Sequence, residues 1–245
     1  ARFEPRQGYT HAADQLMTPI LLAEINRLIS QYLLGFVAVG QRYQAVALLG
    51  VEQGKNLYLN PDGRWLGNYV PASVRGYPFN LMTTDTGNRV LSIDFQALSE
   101  ATHGEALFDD NGEPTETVTK HLDFLTQCDI DRQRTQNATD ALQQADLLRP
   151  WPLEISREEG EEPLRMQGLH GIDEKALNAL GAETYATLQG APMALAHAQM
   201  FSVHQLRQLT ELAKYHANLS TKQPADEPDI EALFGDDDDD LTFHF

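Results

Sequence analysis

The chain has 245 residues, 18 basic and 36 acidic, giving a formal net charge of −18, with 42% hydrophobic residues, 17 Gly, 12 Pro and one Cys. This composition fits a folded globular protein and excludes a collagenous, wholly disordered or disulfide-stapled one. A lone Cys128 allows neither an internal disulfide nor a Cys-pair metal site, as suits a reducing compartment, and the acid excess disfavours duplex nucleic acid and anionic membrane surfaces as partners.

Residues 1–15 are polar and read as a peripheral segment. Thr18-Pro19 supplies a helix start, and Leu21, Ile25, Leu28, Ile29 and Tyr32 fall on one face, predicting an amphipathic helix over 19–31. Strands are predicted at Gly35–Val39, Gln44–Val51, Asn56–Leu59 and Arg64–Asn68, the last two joined by the turn Asn60-Pro61-Asp62-Gly63. Two more follow at Phe79–Thr83 and Arg89–Asp94. From Pro114 to Leu148 the apolar period becomes helical and stops at Pro150 and Pro152. A short hairpin is predicted across Leu153–Ile155 and Pro163–Gln167, then helices at Asp173–Leu180, Glu183–Gln189 and Ser202–His216, the last opening on a Ser202/Gln205 capping box. The apolar runs Ile20–Leu22 and Ala45–Val51 are far shorter than the ~20 residues of a membrane span. The expected class is α+β, with a mainly antiparallel N-terminal sheet and a mostly helical C-terminal half that includes a second small hairpin. The expected units are the segment 1–15, a domain over 16–217 with two lobes meeting near 150, and a disordered acidic-aromatic tail over 218–245.

Half of the net charge lies in that tail: residues 223–245 carry nine acids, including Asp236 to Asp240, and no Lys or Arg. Such repulsion predicts disorder in the free chain. Ile230, Leu233 and Phe234 have helical spacing up to Gly235, whereas Leu241, Phe243 and Phe245 alternate as in a strand. Acids that steer and apolar groups that anchor suit docking on another protein; a solubilising tail resting on its own domain is the other reading. Contiguous aspartates without spaced ligands and a Gly turn do not make a calcium loop.

Enzyme motifs are sparse. Gly50 to Asn56 comes near a phosphate loop but is one residue short, has Asn at the hydroxyl position and leads into a strand. His121-Leu122-Asp123 matches half of a two-histidine, one-carboxylate iron site. On the helix expected there, residues two apart point ~200° apart, so a solvated face is expected and no metal. His197 and His204 read as two ordinary histidines. The densest unusual segment runs from Trp65 to Phe79, with Tyr69, Arg75 and Tyr77 between. It is either a rigid aromatic surface around a cation, suited to peptide or planar ligands, or a Pro-braced corner whose aromatics fill the core and whose Arg75 pairs with Glu105 or Glu113. In Gly104–Thr115, Asp109, Asp110, Asn111 and Glu113 could attract a divalent ion, but Asp-Asn-Gly also makes a tight turn ahead of a helix, the favoured reading, with Phe108 beside it.

Taken in order, Pro19–Glu24, Val46–Gly50, Asn56–Leu59, Gly63–Trp65, Tyr69–Ala72, Arg75–Phe79, Ser92–Asp94, Gly104–Thr115, Gly168–Leu180 and Ala196–Leu209 resemble the SapC family of bacterial proteins, over residues 16–217. One departure is local: relatives tend to carry Tyr-Pro where this chain has Tyr32-Leu33. The family is named from a surface-layer locus, and members are often encoded beside flavin-dependent tryptophan-halogenase-like proteins. The resemblance brings no established catalytic residues. The peptide-transporter permease of similar name needs several membrane spans, which this sequence lacks.

The expected function is that of a soluble, cytoplasmic, non-enzymatic accessory protein without cofactor, no secretory signal pattern opening the sequence as given. It would bind a protein or peptide through Trp65, Tyr69, Arg75, Tyr77, Phe79, Glu105, Phe108, Glu113, Phe234, Phe243 and Phe245. The alternative is an enzyme or recognition subunit working with a flavin-dependent halogenase on a peptide or indole-like substrate, Arg75, Trp65, Glu105 and Glu113 lining its pocket. A structural surface-layer component is a third reading.

Overall fold

The computed structural model describes residues 1–84, 86–99, 103–155 and 164–221. Its centre is an apolar hairpin, β3 (Leu34–Val39) and β4 (Arg42–Leu48), and the chain elements before it are β1 (Arg2–Phe3), β2 (Met17–Pro19) and the short helix α1 (Ile25–Leu28). Gly40, at a φ of 62°, turns this hairpin, where a side chain would be strained. Leu34 to Phe36 and Ala45 to Leu48 are buried without a break, the pattern of strands covered on both faces and not of a half-exposed sheet.

Beyond the hairpin come α2 (Ala72–Arg75), β5 (Phe79–Thr83), β6 (Arg89–Ile93), β7 (Leu98–Ser99), β8 (Glu105–Ala106) and the long helix α3 (Glu116–Gln144). The C-terminal part comprises β9 (Leu148–Pro150), β10 (Leu153–Ile155), β11 (Leu164–Met166), β12 (Leu169–Ile172), α4 (Glu174–Asn178), α5 (Ala182–Thr187), α6 (Ala191–Phe201) and α7 (Leu206–Thr221). The class is α+β, with every strand pair among the described residues antiparallel. The five-stranded sheet runs β2-β4-β3-β12-β9, so two strands that follow α3 complete a sheet begun before it. β7-β1-β8 form a small sheet, and β5-β6 and β10-β11 form hairpins.

Helix α3 buries Val118, Leu125, Cys128, Thr135, Ala138 and Leu142, one stripe along its length, against β4, β5 and α6. The same face holds the chain after β2: the Thr135 hydroxyl accepts the Leu22 N–H at 2.9 Å and the Asp131 carboxylate accepts the Ala23 N–H at 2.8 Å. These side chains satisfy amides that open the short 3-10 segment Leu22–Glu24.

Several sequence expectations need correction. The predicted helix over 19–31 is instead a β2 strand ending at Pro19, a 3-10 turn and the four-residue α1, because Met17–Pro19 pairs with Val46–Leu48. Residues 56–68 hold one bridge, Leu59 to Trp65, around the Asn60–Gly63 turn, in place of two full strands. The expected Ser202 cap is a tether: its hydroxyl accepts the Leu34 N–H at 2.9 Å and donates to the Gln199 carbonyl at 2.7 Å. The segment expected to be peripheral places Phe3 at 1% exposure in the middle strand of the β7-β1-β8 sheet, edge-on to Phe79.

Both margins of the five-stranded sheet carry proline. Trp151 donates its N–H to Leu169 and Leu147 accepts from Asp173, so by the two-residue period of a strand Pro150 faces away from β12. Ile20 donates to Ala45 and Leu16 accepts from Leu49, which turns Pro19 away from β4 in the same manner. Among the described residues, no helix is long and apolar enough to cross a membrane.

Candidate functional site

The aromatic segment from Trp65 to Phe79 wraps around one carboxylate that its own sequence does not contain. Glu24, 4% exposed, accepts the Leu21 N–H at 3.0 Å, the Tyr69 hydroxyl at 2.9 Å and the Ala72 N–H at 2.8 Å. Burial pushes its carboxyl above the usual range, against the pull of these donors and of the Arg75 charge. Arg75 donates from Nη2 to the Tyr69 oxygen at 3.0 Å and from Nε to the Val70 carbonyl at 3.0 Å. The acid that Arg75 serves is therefore Glu24, through Tyr69. No ion pair joins Arg75 to Glu105 or Glu113 among the described residues.

Behind this network lies packed core. Trp65 is 7% exposed and donates its indole N–H to the Tyr32 hydroxyl at 2.9 Å; that hydroxyl donates in turn to the Tyr69 carbonyl. Tyr58 and Tyr9 flank the indole, 6.0 and 5.5 Å away between centroids. Burial raises the Tyr32 and Tyr58 phenols well above their ordinary value, so both stay protonated donors. Phe79 is 1% exposed. Of the five residues singled out here, Trp65 and Phe79 build the corner, whereas Tyr69, Arg75 and Tyr77 are half-buried and reach its surface. The Arg75 guanidinium lies between two rings, 5.3 Å from the Tyr69 centroid and 5.1 Å from that of Phe124 on α3.

The second segment is separate. Glu105 is exposed on β8 opposite Phe3. The Asp109 carboxylate accepts the N–H groups of Asn111 and Glu113 at 2.8 and 2.9 Å, and these bonds hold its pKa down. The expected turn is thus formed by Asp109, while Glu113 is exposed and Phe108, 53% exposed, bridges to Pro114. Phe234, Phe243 and Phe245 lie outside the described residues. His121 sits on α3 with its Nδ1 against the Thr117 carbonyl and its ring against Phe79, while Asp123 is exposed.

A cleft of about 360 Å³ opens elsewhere, at the β9 margin, between Arg149, Trp151, Gly171, Glu174, Gln199 and Val203. The Trp151 ring rests on Gly171, where an added Cβ would meet it at 3.2 Å. Gln199, buried on α6, holds the other wall by accepting the Ile172 N–H at 2.9 Å. Arg149 is occupied by Asp146 and Asp173.

The sequence reading missed Glu24, Phe124 and this cleft. Glu24 had a signal: it lies three residues after Leu21 and four before Leu28, an acid on an apolar stripe. The cleft had none, because its walls come from β9, β12 and α6, and α6 itself was not predicted.

The SapC family model matches residues 1–209, from β1 into α7. The chain belongs to the SapC family. The match includes the segment before residue 16 that closes over Phe79, along with every element that positions Glu24 and Arg75 in this SapC protein. No curated protein and no solved structure matches the chain.

Proposed function

We propose that this SapC protein is a non-enzymatic accessory protein that binds a protein or peptide partner. The Tyr69–Arg75–Tyr77 face and the acidic-aromatic segment beyond residue 221 are its contact surfaces. The observation that carries the reading is the posture of Arg75, a cation clamped between two rings and tied to Val70 and Tyr69 before any partner arrives. Little side-chain entropy remains to be lost on docking, which suits a hot spot. In the tail, acids alternate with Phe234, Phe243 and Phe245, a pattern that suits steering followed by anchoring. Cytoplasmic location belongs to this proposal, and cell fractionation tests it.

Recovery of partners by the full chain, by a chain ending at Lys222 and by Arg75→Gln is the direct test. Loss in both variants supports the reading; equal recovery of every partner by all three overturns it.

One observation favours a second reading. The Trp151 cleft falls within the roughly 300–1,000 Å³ of small-molecule sites. It suits a recognition subunit that presents an indole-like or other planar substrate to a flavin-dependent halogenase. Titration of indole and flavin, followed by fluorescence of Trp65 and Trp151 with Trp151→Phe as control, separates the two: saturable quenching lost in the variant favours the second.

A further inference from the structure

The two faces of the Trp151 ring meet different surroundings. Arg149 pairs with Gly171 across the sheet margin, and Trp151 lies two residues beyond Arg149, so all three share one face of the sheet. An added Cβ on Gly171 would meet Cε3 of the indole at 3.2 Å and Cδ2, a ring-fusion carbon, at 3.4 Å. The ring therefore lies flat over the glycine. A half-buried indole covered on one face turns the other into the cleft that it lines. Met200, at the end of α6, and Val203, in the 3-10 turn after it, add apolar wall to that cleft.

Two charged side chains line the same cleft, Arg149 and Glu174. Arg149 is fully engaged: Nη1 and Nη2 donate to Asp146 at 2.7 and 2.9 Å, and Nε faces Asp173 at 3.3 Å. Two carboxylates around one guanidinium already leave an excess of negative charge. Glu174, in the first turn of α4, is exposed, and its carboxylate enters no ion pair among the described residues. Lys175 points about 100° away around the helix and does not line the cleft. An anion entering here would meet Glu174 and find no free cation on the walls. A neutral ring would use the indole and leave the carboxylate idle. A cation uses both, and the net charge of −18 favours its approach.

We propose that the Trp151 cleft receives a long basic side chain of a peptide or protein partner, its charged head between the indole and Glu174 and its apolar stem along Met200 and Val203. The stem distinguishes such a side chain from a simple ammonium ion, since its methylenes have apolar wall to cover. Arginine is preferred to lysine, because a planar guanidinium stacks on an indole and forks onto a carboxylate. The inference rests on the cleft being a ligand site, as in the second reading above, and needs no halogenase.

The test is fluorine NMR of the full chain labelled with fluorotryptophan, whose two resonances belong to Trp65 and Trp151 and are assigned by the one lost in Trp151→Phe. Probes at constant ionic strength are Ac-Gly-Arg-Gly-NH2, Ac-Gly-Lys-Gly-NH2, the neutral Ac-Gly-Gln-Gly-NH2 and indole. A saturable shift of the Trp151 resonance with the Arg peptide, weaker with the Lys peptide and absent with the Gln peptide, supports the proposal. Glu174→Gln should weaken binding of the Arg peptide about threefold and Glu174→Lys should abolish it, with circular dichroism checking that both fold. No saturable shift with either basic peptide, equal shifts with the Gln peptide, or binding unchanged in folded Glu174→Lys overturns it. Indole is read separately: its saturation or silence at Trp151 decides the second reading whatever the basic peptides do.

Discussion

Replacing Glu24 by Gln tests whether the corner is held by a carboxylate or merely by a group of that shape. Two backbone N–H groups and one hydroxyl converge on Glu24. Glutamine offers a single acceptor oxygen. Turned toward Ala72 and Tyr69, it aims its own NH2 at the Leu21 N–H, leaving a buried donor unpaired at about 1–3 kcal/mol. The two remaining bonds lose their charge assistance, about 0.5–1 kcal/mol each. Relief of the burial penalty that raises the Glu24 pKa works in the opposite direction. The expected net loss is about 2 kcal/mol at pH 7, a large share of a typical ~5–15 kcal/mol. Urea unfolding followed by circular dichroism should show a lower midpoint at unchanged slope. The pH dependence has a definite sign. A carboxyl whose native pKa exceeds its unfolded value stabilises the fold below the unfolded pKa, and that contribution fades as pH rises through the native one. The gap between wild type and variant should therefore narrow with rising pH. A variant within about 0.5 kcal/mol of wild type at every pH would refute the account of this corner.

Gly171→Ala should push the Trp151 ring outward, since the new Cβ meets it at 3.2 Å; expect about 1 kcal/mol of destabilisation and a red-shifted Trp151 emission, read in a Trp65→Phe background. Cys128 is 8% exposed and burial pushes its thiol up, so iodoacetamide at pH 8 should leave it unmodified in the native protein and label it in urea. Burial lowers His216, which is bonded to the Leu57 carbonyl. Its contribution to stability is present at neutral pH and falls as pH drops through the ordinary histidine pKa, so His216→Gln should flatten that acid limb of the stability profile.

The elements legible in the sequence were those whose pattern answers to one neighbour. β5 and β6 are short apolar-rich runs that pair with each other, and α3 carries an apolar stripe long enough to announce itself. Residues 19–31 also carry helical periodicity, but Met17–Pro19 forms ladder bonds to β4 that a helix there would forfeit. A partner strand nearly thirty residues away leaves no mark on local spacing. α6 was invisible for a related reason: Ala191–Phe201 is apolar around most of its girth, packed on α3, β3 and β12, so no polar face betrays its period. At the site, Trp65 to Phe79 stood out by composition, and its division into core and surface was set by Glu24, Phe124 and Phe3, none of them adjacent in sequence.

The prolines at 19 and 150 have a bearing on what this molecule refuses. Each removes one of the main-chain donors that its edge strand would turn outward to a newcomer. A sixth strand, from another copy or from a passing extended peptide, finds a broken rail on either flank. Edge-to-edge stacking of this sheet into filaments is thus disfavoured at both ends.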